Sequence, residues 1–246
     1  MKKILSVIIA AVMMFSLSGC GGSDTDNSSG GSSQTKTETV TKRNPVRSEL
    51  YSNDDTYLAE VTYEYDSNGN MLSNTTTWVE DWGGDWEKDE YTYNANNNVL
   101  TKTSSRKDND YKYTLVYEYD EGGKLTKTFS PDDPSYYIGY TYDEKGHLVK
   151  RANYDADGNE SYPVEITCDE QGRVIQEKEV WESLGWTFLN TTTYDEKGNI
   201  LKWEYSSNGE VMITHGYLYT EEGLLTRQDC SIESWKIEGY LLHFYE

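Results

Sequence analysis

The chain has 246 residues, 35% of them hydrophobic but with 22 Tyr and 7 Trp, and sets 43 acidic against 22 basic residues for a net charge of −21. Such an excess of carboxylates argues against a nucleic-acid partner, whose phosphates it would repel, and against a basic patch for anionic lipid. Aliphatic side chains are too sparse to build a core alone, so the aromatic rings, each burying roughly 150–250 Å², must supply much of it.

Residues 1–19 read as a signal peptide. Lys2 and Lys3 form a positive start, and the apolar run from Ile4 to Leu17 is too short for an ordinary membrane-spanning helix. It ends in Leu17-Ser18-Gly19-Cys20, which resembles the bacterial lipobox. That resemblance implies cleavage before Cys20 and a diacylglycerol on its sulfur, an anchor that ties a protein to a membrane without crossing it. Two basic residues leave with the signal, so the remainder carries 20 basic against 43 acidic residues, a net −23. Residues 20–44 hold Gly, Ser, Thr, Asn and Asp with almost no apolar side chain, and this composition predicts a flexible tether. The folded domain is expected over residues 45–246.

From Asn44 the pattern changes. Val46 to Tyr51 reads as the second strand of a hairpin whose first strand is missing, which predicts an exposed sheet edge beside Pro45. One motif then recurs: YEYDSNGNML from Tyr63, YTYNANNNVL from Tyr91, YEYDEGGKL from Tyr117, YTYDEKGHL from Tyr140, ITCDEQGRVI from Ile166, TTYDEKGNIL from Thr192 and YLYTEEGLL from Tyr217. Alternating tyrosines put both rings on one face of a strand. The Asp opens a tight turn and the Gly takes a left-handed position, the chemistry of a hairpin with a bulge. The second tyrosine position (Tyr65, Tyr93, Tyr119, Tyr142, Cys168, Tyr194, Tyr219) advances by 28, 26, 23, 26, 26 and 25 residues. Such a period marks units that bury their apolar faces only by stacking.

The pattern Tyr-x-Tyr-Asp-x-x-Gly-x-Leu resembles the repeat of the RHS/YD family over nearly all of the chain after residue 46. The resemblance implies long antiparallel sheets that curl into a spiral or shell, often at bacterial surfaces. The departures are specific. Only Arg173 supplies the family's arginine after the Gly, Asn97 and Asn98 replace the Gly step in the second copy, Cys168 replaces a Tyr and Thr220 an Asp. No toxin or peptidase segment follows the repeats, so a short repeat-only lipoprotein is the better fit. The expected fold is all-β: one antiparallel meander, a single curled or spiral sheet of about seven hairpins.

Alternate turns of a meander lie at opposite ends, so the uniform Asp-x-x-Gly turns line one rim and the variable loops the other, where scaffolds usually carry function. Two variable loops hold tryptophans: Trp78, Trp82 and Trp86 in one, Trp181 and Trp186 in the other, each with Gly between the rings. Flat rings beside carboxylates suit stacking on sugars, while cross-strand aromatic pairing would account for them without a ligand. Asn153, Asp155, Asp157 and Asn159 resemble the start of a calcium loop, but its closing Glu is replaced by Val164 and the run also reads as a hairpin turn, so no metal or other cofactor is expected. His147, His215 and His243 lack metal-ligand or triad spacing. Cys168 and Cys230 sit two units apart and are expected as packed thiols rather than a bridge. The function these residues predict is non-enzymatic: a membrane-anchored surface scaffold or binding module facing outward from the cell envelope, with glycans or an envelope protein as partners. A glycan hydrolase using acids on the variable rim is the alternative.

Overall fold

A computed structural model describes residues 44–82, 84–107, 111–233 and 236–245. The signal segment, Cys20 and the tether up to residue 43 lie outside these residues. β1 (Arg47–Ser52), β2 (Tyr57–Tyr65), β3 (Met71–Trp78), β4 (Trp86–Tyr93), β5 (Val99–Arg106) and β6 (Lys112–Tyr119) come first. β7 (Leu125–Ser130), β8 (Asp133–Tyr142), β9 (Leu148–Tyr154), β10 (Glu160–Cys168) and β11 (Val174–Trp181) follow. β12 (Trp186–Tyr194), β13 (Ile200–Ser207), β14 (Glu210–Tyr219), β15 (Leu225–Ile232) and β16 (Ile237–Phe244) complete the set. Each strand runs antiparallel to its neighbours and β1 also pairs with β16, so the sixteen strands among the described residues form a closed barrel.

This corrects the single curled sheet of about seven hairpins. The half unit at the start of the domain is completed by a half unit at its end. β16 is a first strand without a return, β1 is a return without a first strand, and they join from Arg47↔Phe244 to Ser52↔Gly239. The backbone N–H of Val46 adds a bond to the Phe244 carbonyl at 2.9 Å. The edge expected at Val46–Tyr51 is therefore covered, and the repeats number eight. Closure satisfies the row of backbone donors and acceptors that an edge strand would leave open.

The tyrosine columns show why the units stack. Tyr65 donates its hydroxyl to the Pro45 carbonyl (3.0 Å), Tyr93 to Met71 (2.7 Å), Tyr119 to Val99 (2.9 Å) and Tyr142 to Leu125 (2.9 Å). Tyr194 reaches Val174 (2.9 Å), Tyr219 Ile200 (2.9 Å) and Tyr245 Leu225 (2.7 Å). Each bond runs to the backbone of the preceding unit, so each unit is stitched to the last. Cys168 occupies the same slot, its thiol donating to the Leu148 carbonyl at 3.5 Å. The column rings are half-buried rather than fully buried.

Registers fix which side chains share a face. Tyr63 faces Asn74, Val61 faces Thr76 and Ala59 faces Trp78 on one side of β2 and β3. Most of the buried residues lie on this tyrosine face, among them Ser48, Leu50, Tyr91, Ile166, Trp203, His215 and Leu241, so it is the inner wall. Buried aliphatic side chains such as Val99, Val164 and Ile166 lie elsewhere on the ring, but one group of apolar residues packs together as a continuous cluster. Leu50, Leu58, Ala59, Val61, Trp78, Cys230, Ile232 and Leu241 form one cluster on β1–β3, β15 and β16, across the non-covalent seam.

At the uniform rim the Asp carboxylate organises each turn. Asp143 Oδ1 accepts the Lys145 and His147 amides (2.9 and 2.8 Å), while the Gly146 amide closes back on the Asp143 carbonyl (3.0 Å). These bonds, that from the His147 amide foremost, hold the Asp143 carboxyl below the usual carboxylate range. Gly146 sits at φ 89°, and a Cβ there would lie 3.0 Å from Lys124 Nζ of the preceding turn. Asn97 takes the same backbone position at φ 61°, which Asn tolerates better than most residues.

Candidate functional site

The opposite rim carries the variable loops, and one of them gathers aromatic rings. Trp181 ends β11, Trp186 begins β12, and the two pair across the hairpin. Between them the 3-10 turn Glu182–Leu184 is closed by Gly185 at φ 65°. The register Glu179↔Phe188 continues the same face inward. Trp181 meets Phe188 edge-on at 5.0 Å between ring centroids and 69°, and Trp186 meets it at 5.9 Å and 61°. Phe188 stacks in parallel on Tyr205 of β13 at 6.1 Å. Such edge-to-face and stacked pairs follow from the ring quadrupoles.

One carboxylate orients the cluster. The Trp181 Nε1–H donates to Glu179 Oε1 at 2.6 Å, fixing the indole plane. Burial, with the Glu179 charge adding to it, pushes the Tyr205 hydroxyl above its ordinary pKa. Below this level Glu177 accepts Arg151 Nε (3.3 Å) and Asn190 Nδ2 (3.1 Å) on the inner wall. The mouth is therefore aromatic at its lip and charged within.

The fifth ring is Tyr162 of β10, 5.5 Å from Trp181. It is a non-glycine residue at φ 49°, inside a break of register between Ser161 and Val164. A bulge of this kind re-aims a side chain at a cost in backbone strain, and such strain concentrates at functional sites. Tyr162 is 54% exposed, Trp186 46% and Leu184 60%, so the patch faces water although its members touch one another.

The two tryptophan loops share a design but not a direction. The first also makes a 3-10 turn, Glu80–Trp82. Trp78, however, lies on the inner wall opposite Ala59, 8% exposed within the seam core. Trp86 pairs with Thr77 and so points outward. The Trp82 side chain lies outside the described part of the structure. Trp181 and Trp186 are thus brought together, whereas Trp78 and Trp86 stand on opposite faces. Sequence reasoning missed Tyr162, Glu179, Phe188 and Tyr205. Glu179 and Phe188 were within reach, since each lies two residues from a tryptophan and shares its face.

The run from Asn153 to Asn159 is a hairpin turn. Asp155 Oδ1 accepts the amides of Asp157 (3.0 Å) and Asn159 (2.8 Å), and Oδ2 accepts Asn159 Nδ2 (2.9 Å). Asn153 lies on the strand opposite Ile138. Among the described residues no group of three or more His, Cys, Asp or Glu is placed to hold a metal ion. Cys168 and Cys230 are not joined in a disulfide, and Cys230 is buried with its sulfur 3.9 Å from His215 Nε2.

No family model matches the chain, and no curated protein matches it either. Among solved structures the barrel is similar to a porin-like protein from Bacteroides uniformis, at a TM-score of 0.50 and 12% identity, over 82% of this chain and 98% of that one. Two toxin-complex structures, TcdB2-TccC3-Cdc42 and TcdB2-TccC3 without its hypervariable C-terminal region, align at TM-scores of 0.26 and 0.22 and identities of 15% and 13%. They are matched over 72% and 78% of this chain but only 12% and 15% of theirs. The first likeness supports the barrel as a fold.

Proposed function

We propose that this protein is a non-enzymatic binding module of the cell envelope, tethered by a lipid on Cys20, with the mouth formed by β10–β13 as its ligand surface. The observation that carries the reading is the set of rings there: Tyr162 held at a strained φ and Trp186 half-exposed, against a Trp181 indole locked by Glu179. Exposed indole and phenol faces beside carboxylates suit a glycan, whose apolar ring face stacks while its hydroxyls meet the acids.

The chain's entry point fits an outward-facing mouth. Asn44 bonds the Gly69 carbonyl at 3.0 Å, which puts the start of the domain on the uniform-turn rim. The tether would then emerge opposite the aromatic mouth. A flexible linker of its length spans about 25–30 Å, enough to lift the barrel clear of a membrane surface. Glycan-array binding of the wild-type ectodomain and of Trp186→Ala tests the proposal. Binding by the wild type that disappears in the variant, at an unchanged melting temperature, is expected. Equal binding by both, or none by the wild type, would discard the mouth as a glycan site, and hydrolysis of a bound glycan would make the protein an enzyme instead.

A further inference from the structure

We infer that the barrel stands in water on both of its faces, and that lipid touches this protein only through its anchor. The outer wall is the face opposite the tyrosine columns, and its middle carries charge. Arg47 pairs with Glu49 and with Glu60 (3.3 Å), Lys88 with Glu90 (2.9 Å), Lys150 with Glu160 (2.6 Å), Lys202 with Glu204 (2.7 Å) and Arg227 with Asp229 (2.7 Å). These pairs sit on β1, β2, β4, β9, β10, β13 and β15, so they are distributed round the circumference. Between them run threonine ladders, Thr92 to Thr101 at 2.7 Å and Thr103 to Thr114 at 3.0 Å.

A barrel in a bilayer shows the reverse pattern: a continuous outward apolar band about 25 Å tall, bordered by outward aromatic girdles. Here the tyrosine columns face inward and the ion pairs just named face outward. The strands hold 6 to 10 residues, with most at the lower limit of the roughly 9–11 needed to cross a hydrocarbon core or below it. The inner wall is also wet. Lys102 pairs with Asp89 at 2.9 Å, Arg106 with Glu87 at 3.2 Å and Arg151 with Glu177 at 3.3 Å, all partly exposed. Charges on the outer wall would be costly in hydrocarbon and cost little in water. Likeness in fold to a porin-like barrel thus coexists with a wall built for solvent. The inference is independent of what the mouth binds.

The test uses the full-length protein with a protease site inserted beside Gly30. Membranes carrying it are cut, and the released barrel is partitioned between water and a cloud-point detergent. The barrel is expected in the aqueous phase with its β circular dichroism intact, and added to dye-loaded vesicles it is expected to release no dye. A fragment that stays with the membrane or enters the detergent phase after complete cleavage, or that makes vesicles leak, overturns the inference. Uncut protein already found in the aqueous phase would remove the lipid anchor and still uphold the solvated wall.

Discussion

Tyr245 donates its hydroxyl to the Leu225 carbonyl at 2.7 Å, the same bond that Tyr65 makes to Pro45 at 3.0 Å at the other end of the domain. The last residue pairing of the chain therefore repeats the geometry of the first. Tyr142→Phe, which deletes only the hydroxyl bonded to Leu125, should cost about 1 kcal/mol, the net worth of one hydrogen bond. Tyr142→Ala should cost about 3 kcal/mol, since it also removes a packed ring. Urea melts of both variants separate bond from ring; equal losses would mean that the hydroxyl bond is the whole contribution.

The turn glycines make a second prediction. Gly146 and Gly198 lie at φ 89° and 86°. Valine at either should cost roughly 1 kcal/mol or more, because a branched residue is forced into the left-handed region. Gly216 is the control: it lies within β14, and an added Cβ there meets only Asp229 Cβ at 4.0 Å. Gly216→Ala should leave the melting temperature nearly unchanged. If it destabilises as much as Gly146→Val, conformation is not what sets the turn residues.

Acid should loosen the seam. His215 is fully buried, accepts Gln228 Nε2–H at Nδ1 (3.2 Å), and burial pulls its pKa down from 6.5 to about 4. His243 on β16, bonded through Nδ1 to Ser48 Oγ at 2.8 Å, is pulled down to about 4 for the same reason. A histidine whose folded pKa is depressed binds its proton more tightly when unfolded. Stability is then complete above pH 6.5 and falls as pH drops from 6.5 to about 4, by about 3 kcal/mol for each imidazole. Melting temperatures measured between pH 8 and pH 4 should follow this course, and imidazole resonances for both residues should stay neutral down to near pH 4. A flat profile above pH 4 would remove the histidines from the account.

The rim makes a fourth prediction. Trp186 is 46% exposed, while Trp78 and Trp203 are each 8% exposed. Acrylamide should therefore quench a fraction of the tryptophan emission that shrinks in Trp186→Phe and is untouched in Trp203→Phe. Loss of the quenchable fraction on replacing Trp203 instead would mean that the mouth is packed shut.

Joining the seam is the fifth. A circular permutant that links Tyr245 to Asn44 through an Asp-x-x-Gly turn, with new ends opened between Glu144 and Lys145, should fold to the same barrel. Chain ends that lie beside each other generally permit such rearrangement. Its circular dichroism should match the parent and its melting temperature should fall within a few degrees. Failure to fold would mean that β1 and β16 do not meet in the order described.

The local chemistry was legible in the sequence and the closure was not. Alternating tyrosines, the turn Asp and the left-handed Gly each act over a few residues, so Tyr63, Asp143 and Gly146 announced their roles. Tyr245 did not, because its unit lacks the Asp-x-x-Gly turn that identifies the others. The contact Arg47↔Phe244 spans almost the whole domain and leaves no spacing to read. At the mouth, the tryptophans were visible but their directions were not. In a strand, direction depends on parity, and the loop from Trp78 to Trp86 is three residues longer than the loop from Trp181 to Trp186. Tyr162 escaped although Pro163 beside it, which has no N–H to give a ladder and so favours a bulge, lies at the break of register between Ser161 and Val164.

The stitch between units also bears on how the molecule knows its own size. A tyrosine reaching back to its predecessor is blind to how many units came before, and the stitch made by Tyr245 is the same as the rest. Nothing in the repeat can count to eight. That information must reside in the side chains that do not repeat, and a packed group of them lies across the seam: Leu50, Leu58, Trp78, Ile232 and Leu241. A chain with one unit removed or added would keep every stitch and lose only the match between these residues, so its ring size would be decided there.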